Sequence, residues 1–503
     1  MIESINPATL EKIGEVQETP IEKIEEIFKK SRVAQKKWAK IPLAERAERV
    51  VKINEIIAEQ FDEIALLISN EVGKTPNEAF INEVYGVVDS TFHYYSTVTD
   101  ILGKTEEIPL NFYESLDKKS YLIRKPKGVI CVIGPYNYPF TIPFQQIVQS
   151  LMAGNSVVFK PSSDTVLVGQ KIQEILDQID LHANLMQTVF GSGSKLGNPL
   201  IDNADKVIFT GSTATGKRIM QRGASTLTEV SLELGGKSAM IVLPEADIER
   251  AILAARWGCF TNSGQVCASV KRLYLHSSIY EKFVEKLVES TRELKQDIPT
   301  KPNVDVGAMI NEEQLKLVEE AVQEGLSEGA KLLIGGKRNP NLKGYFFEPT
   351  IMEAEDNSFE VVQQEIFGPV LVVLKFSNEE EVIEMVNNNQ YGLTSSVWTK
   401  NIDKGKKLAE EINTGSVMIN EVVYTFALAA TPWGGTKNSG IGRTHGKEGF
   451  YEVTRPLHVN LDQYQGPDLW WMPYDEGFKE IAENFKNIAK SLVVKDSGKR
   501  KGT

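Results

Sequence analysis

Apolar positions change their period once along this chain. From residue 21 to about 100 they recur at helical spacing: Ile21, Ile24, Ile27 and Phe28, then Val51, Ile53, Ile56 and Ile57. After Lys127 short apolar runs alternate with amphipathic stretches. Runs at Gly128–Ile133, Ser156–Phe159, Thr188–Phe190, Lys206–Phe209 and Ala239–Val242 predict buried strands, and Thr165–Ile179 predicts a helix among them. A second alternation follows. Helices are expected from Asp247 to about Phe260 and over Ile279–Leu294, with strands at Arg272–Leu275, Val370–Phe376, Ser395–Trp398 and Ser416–Ile419. Strands that alternate with helices predict parallel, doubly wound sheets, hence an α/β fold. Lys118–Arg124 alternates on its own and predicts a strand excursion that pairs with another chain.

The end of the chain has a different texture. Leu469–Tyr474 is a dense aromatic cluster, and Phe478, Ile481, Ala482, Phe485, Ile488, Ala489 and Leu492 fall on one helical face. Two roles are open for it: capping an apolar tunnel or touching a membrane surface, against packing on the protein itself or on a partner subunit. Lys495–Thr503 carries four cations and is expected to fray.

At 503 residues the chain exceeds what one hydrophobic core supports, so at least two cores are expected. Its 56 Lys and Arg against 68 Asp and Glu leave a formal charge of −12, with no general footprint for nucleic acid. The first residues show neither a basic nor an apolar leader, and no apolar run reaches the ~18 residues of a membrane span. Cys131, Cys259 and Cys267 make no disulfide framework, which points to a reducing, cytoplasmic setting. The five histidines (His93, His182, His276, His445 and His458) form no zinc-binding pattern, so no metal is expected.

Four segments carry candidate chemistry. Cys267 stands in Thr261-Asn-Ser-Gly-Gln-Val-Cys267, where Gly264 permits close backbone approach. Expected strand-to-helix surroundings would offer it amide dipoles that stabilise a thiolate. Glu233, between Leu232 and Leu234 and before two glycines, suits a strand end opening into a cleft. Desolvation there raises a carboxylate's pKa and makes it a general base. Gly211 and Gly216 frame a turn after one strand, with amides available to a phosphate at a helix N-terminus. Lys160 ends another strand of the same sheet, where open α/β folds bind ligands. GxSxG is absent, so a serine-hydrolase elbow is not supported.

Taken in order, Gly134-Pro-Tyr-Asn-Tyr-Pro139, Gly154-Asn-Ser-Val-Val-Phe-Lys-Pro161, Phe209-Thr-Gly-Ser212, Glu233-Leu-Gly-Gly-Lys237, Gly264-Gln-Val-Cys267, Glu365-Ile-Phe-Gly-Pro369 and Ser439-Gly-Ile-Gly-Arg443 resemble the aldehyde dehydrogenase superfamily. The resemblance runs from Asn6 to about Val459. It implies a Rossmann-like cofactor domain (1–110 and 130–234), an α/β catalytic domain (235–435), a small β oligomerisation flap (111–129 and 450–466) and an added C-terminal extension (467–503).

The resemblance also assigns roles. Cys267 is the implied nucleophile, Glu233 the base and Asn137 the oxyanion donor. Lys160, Ser163, Gly211, Ser212, Gly216, Gly235, Glu365 and Phe367 are the implied cofactor contacts. The reaction implied is NAD- or NADP-dependent oxidation of an apolar aliphatic or aromatic aldehyde to the acid. Oxidation of succinate semialdehyde is the alternative, and it needs a cationic clamp that the sequence does not identify. Glu233 argues against a CoA-acylating enzyme, and the intact Cys267, Asn137 and Glu233 argue against a scaffold. Ser163 replaces the glutamate usual in NAD-preferring members, which leaves room for a 2′-phosphate. Tyr136 replaces the commoner tryptophan before Asn137. A homodimer or homotetramer is implied; a start so near Asn6 omits leading strands of many tetrameric members and favours the dimer.

Overall fold

A computed structural model describes residues 1–110, 113–114, 117–468 and 470–493 of the chain. The expected fraying segment Lys495–Thr503 and Leu469 of the aromatic cluster lie outside the described residues. Two compact units emerge: residues 1–104 with 124–455, and residues 105–123 with 456–503.

The first unit holds two largely parallel sheets. In the six-stranded sheet the order is Gly440–Ile441, Glu229–Glu233, Lys206–Thr210, Val129–Ile133, Ser156–Lys160, Met186–Thr188. All but the short Gly440–Ile441 strand run parallel. In chain order its five parallel strands lie 5-4-1-2-3, the order of a dinucleotide-binding sheet read from one edge, with the reversal between Val129–Ile133 and Lys206–Thr210. Val129–Ile133, Ser156–Lys160 and Lys206–Thr210 are buried at every position, as helix-covered parallel strands require. The seven-stranded sheet runs Lys331–Ile334, Thr350–Glu353, Val370–Phe376, Val270–His276, Ser238–Val242, Thr394–Trp398, Ser416–Ile419. Only Lys331–Ile334 pairs antiparallel.

Most predicted elements are present within a residue or two, and three expectations change in this unit. The strand expected at Thr188–Phe190 ends at Thr188. The Thr165–Ile179 helix is shorter, Val166–Leu176. Cys267 follows helix Ile248–Phe260 and a tight turn and precedes strand Val270–His276, so its setting is helix to strand, the reverse of the expected one.

The second unit contains a three-stranded sheet ordered Thr454–Asp462, Lys118–Pro126, Glu106–Ile108. The Lys118–Arg124 excursion thus pairs within its own chain. Lys118 bridges Asp462 and, at 2.8 Å, Asp468. Asp475 N-caps helix Glu476–Ser491. Phe478, Ile481, Ala482, Phe485 and Ile488 on that helix are half-buried, whereas Trp471, Met472 and Tyr474 before it are exposed. Among the described residues no helix is long and apolar enough to cross a membrane.

Candidate active site

A cleft of about 1000 Å³ opens at the carboxyl ends of the six-stranded sheet, at the point where the strand order reverses. Lys160, Ser163, Gly211, Ser212, Gly235, Glu365 and Phe367 line it together with Asn137, Glu233 and Cys267. Gly216 stands behind the wall. A Cβ there would meet Leu234 at 2.5 Å, so its part is to let the helix press onto the neighbouring strand.

The walls suit an elongated anionic ligand with flat rings. Ser212 N-caps helix Thr213–Thr226, its Oγ accepting from the Thr215 amide, so first-turn amides stand at the cleft. Gly193 and Gly197 on helix Gly193–Asn203 also line the cleft, and a Cβ on either would meet nothing within 4 Å. Two bare positions four apart leave a smooth strip of helix for a planar ring. Lys160 Nζ donates to the Pro161 carbonyl at 2.8 Å, and burial draws its pKa down to about 8. Ser163 Oγ reaches the Gly191 carbonyl at 3.4 Å. Buried Glu71 fixes the following turn: it accepts from the Leu167 and Val168 amides at 2.9 and 2.8 Å and so caps helix Val166–Leu176.

Two adjacent glycines bring the catalytic candidates together. Glu233 is the last residue of its strand. A Cβ on Gly235 would stand 2.1 Å from Glu365 Oε2, and one on Gly236 would stand 2.3 Å from the Cys267 carbonyl oxygen. Only glycine admits such approaches, so the segment after Glu233 lies against both the Glu365 side chain and the Cys267 backbone. Glu365 Oε1 accepts from the Gly236 amide at 3.0 Å. Phe367 meets Tyr136 edge to face, with centroids 5.9 Å apart.

Burial drives the Glu233 carboxyl well above the usual carboxylate range. Arg443 and a hydrogen bond from the Trp433 indole oppose that rise, while Oε2 has no partner. Cys267 is half-buried. Burial, with the Glu233 and Glu365 carboxylates, pushes its thiol up to about 12 despite donation from the Ala268 and Cys267 amides. Burial and two acidic side chains thus act against the thiolate that the nearby amides favour.

The turn before Cys267 is strained. Asn262, Ser263 and Gly264 all have left-handed φ, at 50°, 53° and 70°. Ser263 Oγ donates to the Gly307 carbonyl, and Lys271 donates to the Gly264 and Gly368 carbonyls. Asn137 is buried, and its Nδ2 donates to the Gln265 carbonyl at 3.0 Å, which leaves its second amide hydrogen for another acceptor. Asn262, Gln265, Lys74 and Glu83 gather around Asn137 and were not foreseen. In the sequence Lys74 resembles an ordinary cation after a helix end and Glu83 an ordinary surface acid.

Beyond Cys267 lies a cavity of about 20 Å³ lined by Ile142, Gln145, Gln146, Phe426, Trp433, Thr444 and His445, among others. No lysine or arginine lines it. His445 is buried, with Nε2 2.8 Å from Gln145 Oε1, and burial lowers its pKa to about 3, so it is neutral at pH 7. Phe426 packs edge-on against Trp433 with centroids 5.2 Å apart. Among the described residues no group of three or more His, Cys, Asp or Glu is placed to hold a metal ion.

Comparison with known proteins gives a consistent result. The sequence profile of the aldehyde dehydrogenase family matches residues 1–459. A 4,4′-diapolycopene aldehyde oxidase from a Methylomonas species is 34% identical over 483 residues, 95% of this chain and 89% of that protein. Betaine aldehyde dehydrogenase of Bacillus subtilis is 37% identical over 467 residues, 90% of this chain and 93% of that protein. The crystal structure of Staphylococcus aureus betaine aldehyde dehydrogenase in complex with NAD⁺ superposes with a TM-score of 0.88 at 32% identity, covering 94% of this chain and 93% of that one.

Proposed function

The chain belongs to the aldehyde dehydrogenase family and is an NAD(P)-dependent enzyme of that class, and from this premise we propose that it oxidises uncharged, apolar aliphatic or aromatic aldehydes to their acids through Cys267. The observation that carries the reading is the convergence of Cys267, Glu233 and Asn137 on one cleft, with Gly236 pressed against the Cys267 backbone.

In this reading Cys267 loses its proton to water in the open cleft, and its sulfur, now a thiolate, attacks the aldehyde carbon. A C–S bond forms, and the carbonyl pair moves to oxygen, where the free Asn137 amide hydrogen and the Cys267 amide hold it. Lys160 and Ser163 would hold the adenosine end of the cofactor, Gly211 and Ser212 its phosphates, Gly216 the helix above them, and Gly235, Glu365 and Phe367 its nicotinamide end. When bound, that nicotinamide supplies the acceptor for the hydride that leaves the substrate carbon as C=O re-forms. Cys267 then carries a thioester. Glu233 takes a proton from water as the water oxygen bonds to the acyl carbon, the C–S bond breaks, and the acid departs.

The lining of the small cavity beyond Cys267 supports an uncharged substrate. Apart from Glu233 and Cys267 themselves, its polar groups are two amides, two hydroxyls, an indole and a neutral imidazole, and among the described residues nothing positive lines it. Oxidation of succinate semialdehyde requires a cation facing the distal carboxylate, so it is the less supported reading. A panel of pentanal, benzaldehyde, betaine aldehyde and succinate semialdehyde, followed by the absorbance of the reduced nicotinamide, tests this. Higher kcat/KM for the two uncharged aldehydes is expected; a preference for succinate semialdehyde refutes it.

Both cofactors are open to the site, because Ser163 places no charge beside the adenosine ribose. Ser163→Glu is expected to lower the ratio of kcat/KM for NADP over that for NAD by about tenfold or more, through like-charge repulsion. An unchanged ratio would remove Ser163 from that subsite. Trp433→Phe keeps an aromatic ring and deletes a donor to Glu233. Since that bond holds the carboxyl pKa down, the acid limb of thioester hydrolysis should move to higher pH. A limb that stays in place would mean that Trp433 only packs.

Self-association is supported by sheet edges at Ser416–Ile419 in the first unit and Glu106–Ile108 in the second, which pair with no further strand among the described residues. A homodimer or homotetramer is the proposed state, readable by sedimentation. The half-buried apolar face of helix Glu476–Ser491 favours packing over membrane contact for the tail.

A further inference from the structure

The donor proposed for the oxyanion, Asn137, is gripped from beneath by a buried ion pair. Lys74 leaves helix Phe61–Val72 through Gly73, whose φ of 93° turns the chain inward. Its Nζ lies 2.7 Å from Glu83 Oε1, donates to the Asn137 carbonyl at 2.6 Å, and sits 3.9 Å from the centre of the Tyr138 ring. Both side chains are 0% exposed. Glu83 stands in a π-helical turn, Phe80–Tyr85, and its Oε2 accepts from the Phe140 amide at 2.9 Å and the Thr141 amide at 3.4 Å. One ion pair thus holds both ends of residues 137–141. Asn262 adds a third grip, donating from Nδ2 to the Asn137 carbonyl at 3.0 Å while Glu78 holds its backbone amide.

This arrangement is costly for stability alone. Burying two charges loses hydration that their attraction recovers only in part, and apolar replacements of such pairs are often neutral or stabilising. A π-turn gives up regular helical hydrogen bonding and recurs at functional sites. What the pair does, and a leucine pair would not, is to fix a loop backbone through its carbonyl and two of its amides. We propose that Lys74 and Glu83 are positioning residues that set the Asn137 amide against the oxyanion of the substrate. The inference rests on the reading of Asn137 as oxyanion donor. A shift of the loop by a fraction of an ångström misaims that hydrogen bond and slows the chemistry while the cofactor cleft is untouched.

Lys74→Met, Glu83→Gln and the double variant test this, with Asn137→Ala as reference. Lys74→Met alone buries an unpaired carboxylate and is expected to lower both Tm and kcat. The double variant has no orphan charge, and the glutamine that replaces Glu83 still offers an oxygen to the Phe140 amide. It should regain most of the lost Tm, bind NAD and NADP with wild-type Kd, and alkylate at Cys267 at the wild-type rate. Its kcat should remain about ten- to hundredfold low. A kcat that recovers together with Tm makes the pair structural and overturns the proposal. Should the double variant fail to fold, Glu83→Gln alone decides: reduced kcat at unchanged Kd supports it, wild-type kcat overturns it. An Asn137→Ala enzyme of wild-type kcat would instead refute the oxyanion reading, a result separate from either.

Discussion

Mixed with aldehyde and oxidised cofactor, Glu233→Gln is expected to release one equivalent of reduced nicotinamide per active site and then slow by about 10²–10⁴-fold, the contribution of a general base. The burst should survive because sulfur attack and hydride departure do not use the Glu233 carboxylate in this account. Removing its charge also takes away one of the carboxylates that push the Cys267 thiol up, so the burst should reach its maximum at lower pH than in the wild type. The steady rate of the wild type should fall as pH drops through the raised Glu233 pKa, at a pH above the usual carboxylate range, because only the ionised form accepts water's proton. A variant with neither burst nor turnover would place Glu233 before hydride departure and break the proposed order of steps.

Cys267→Ala should produce the largest loss. Without the sulfur there is no covalent intermediate, and kcat/KM should fall by on the order of 10⁴–10⁶-fold. Cofactor affinity should hardly change, because the other cleft walls stay intact. Cys131 and Cys259 offer no substitute: both are fully buried, and neither is among the residues that line the cleft. Retained activity in Cys267→Ala, measured as reduced nicotinamide per minute, would end the covalent account.

What was legible in the sequence follows from what strands and crossings require. Val129–Ile133 and Val370–Phe376 are buried almost throughout, so they had to be nearly continuous apolar runs. The hairpin of Ile2–Ile5 with Lys12–Val16 went unseen because its side chains are mostly exposed or half-buried and leave no run. The paired glycines after Glu233 pointed to a cleft, but that they press against Glu365 and Cys267 is long-range information, absent from any local pattern. Lys74 and Glu83 show the same limit. They stand nine positions apart, a π-turn sets their meeting, and their target, Asn137, lies more than fifty positions on. The surroundings of Cys267 were half legible for a related reason: amide donors near the sulfur were expected and are present, whereas the two acidic side chains that act against them come from distant segments.

The covalent claim is tested most directly by quenching Glu233→Gln in acid just after its burst and digesting it for mass spectrometry. The account predicts the mass of the acyl group on the peptide carrying Cys267, in proportion to the nicotinamide reduced. An unmodified Cys267 at full burst amplitude, or acyl mass on any other residue, would contradict it.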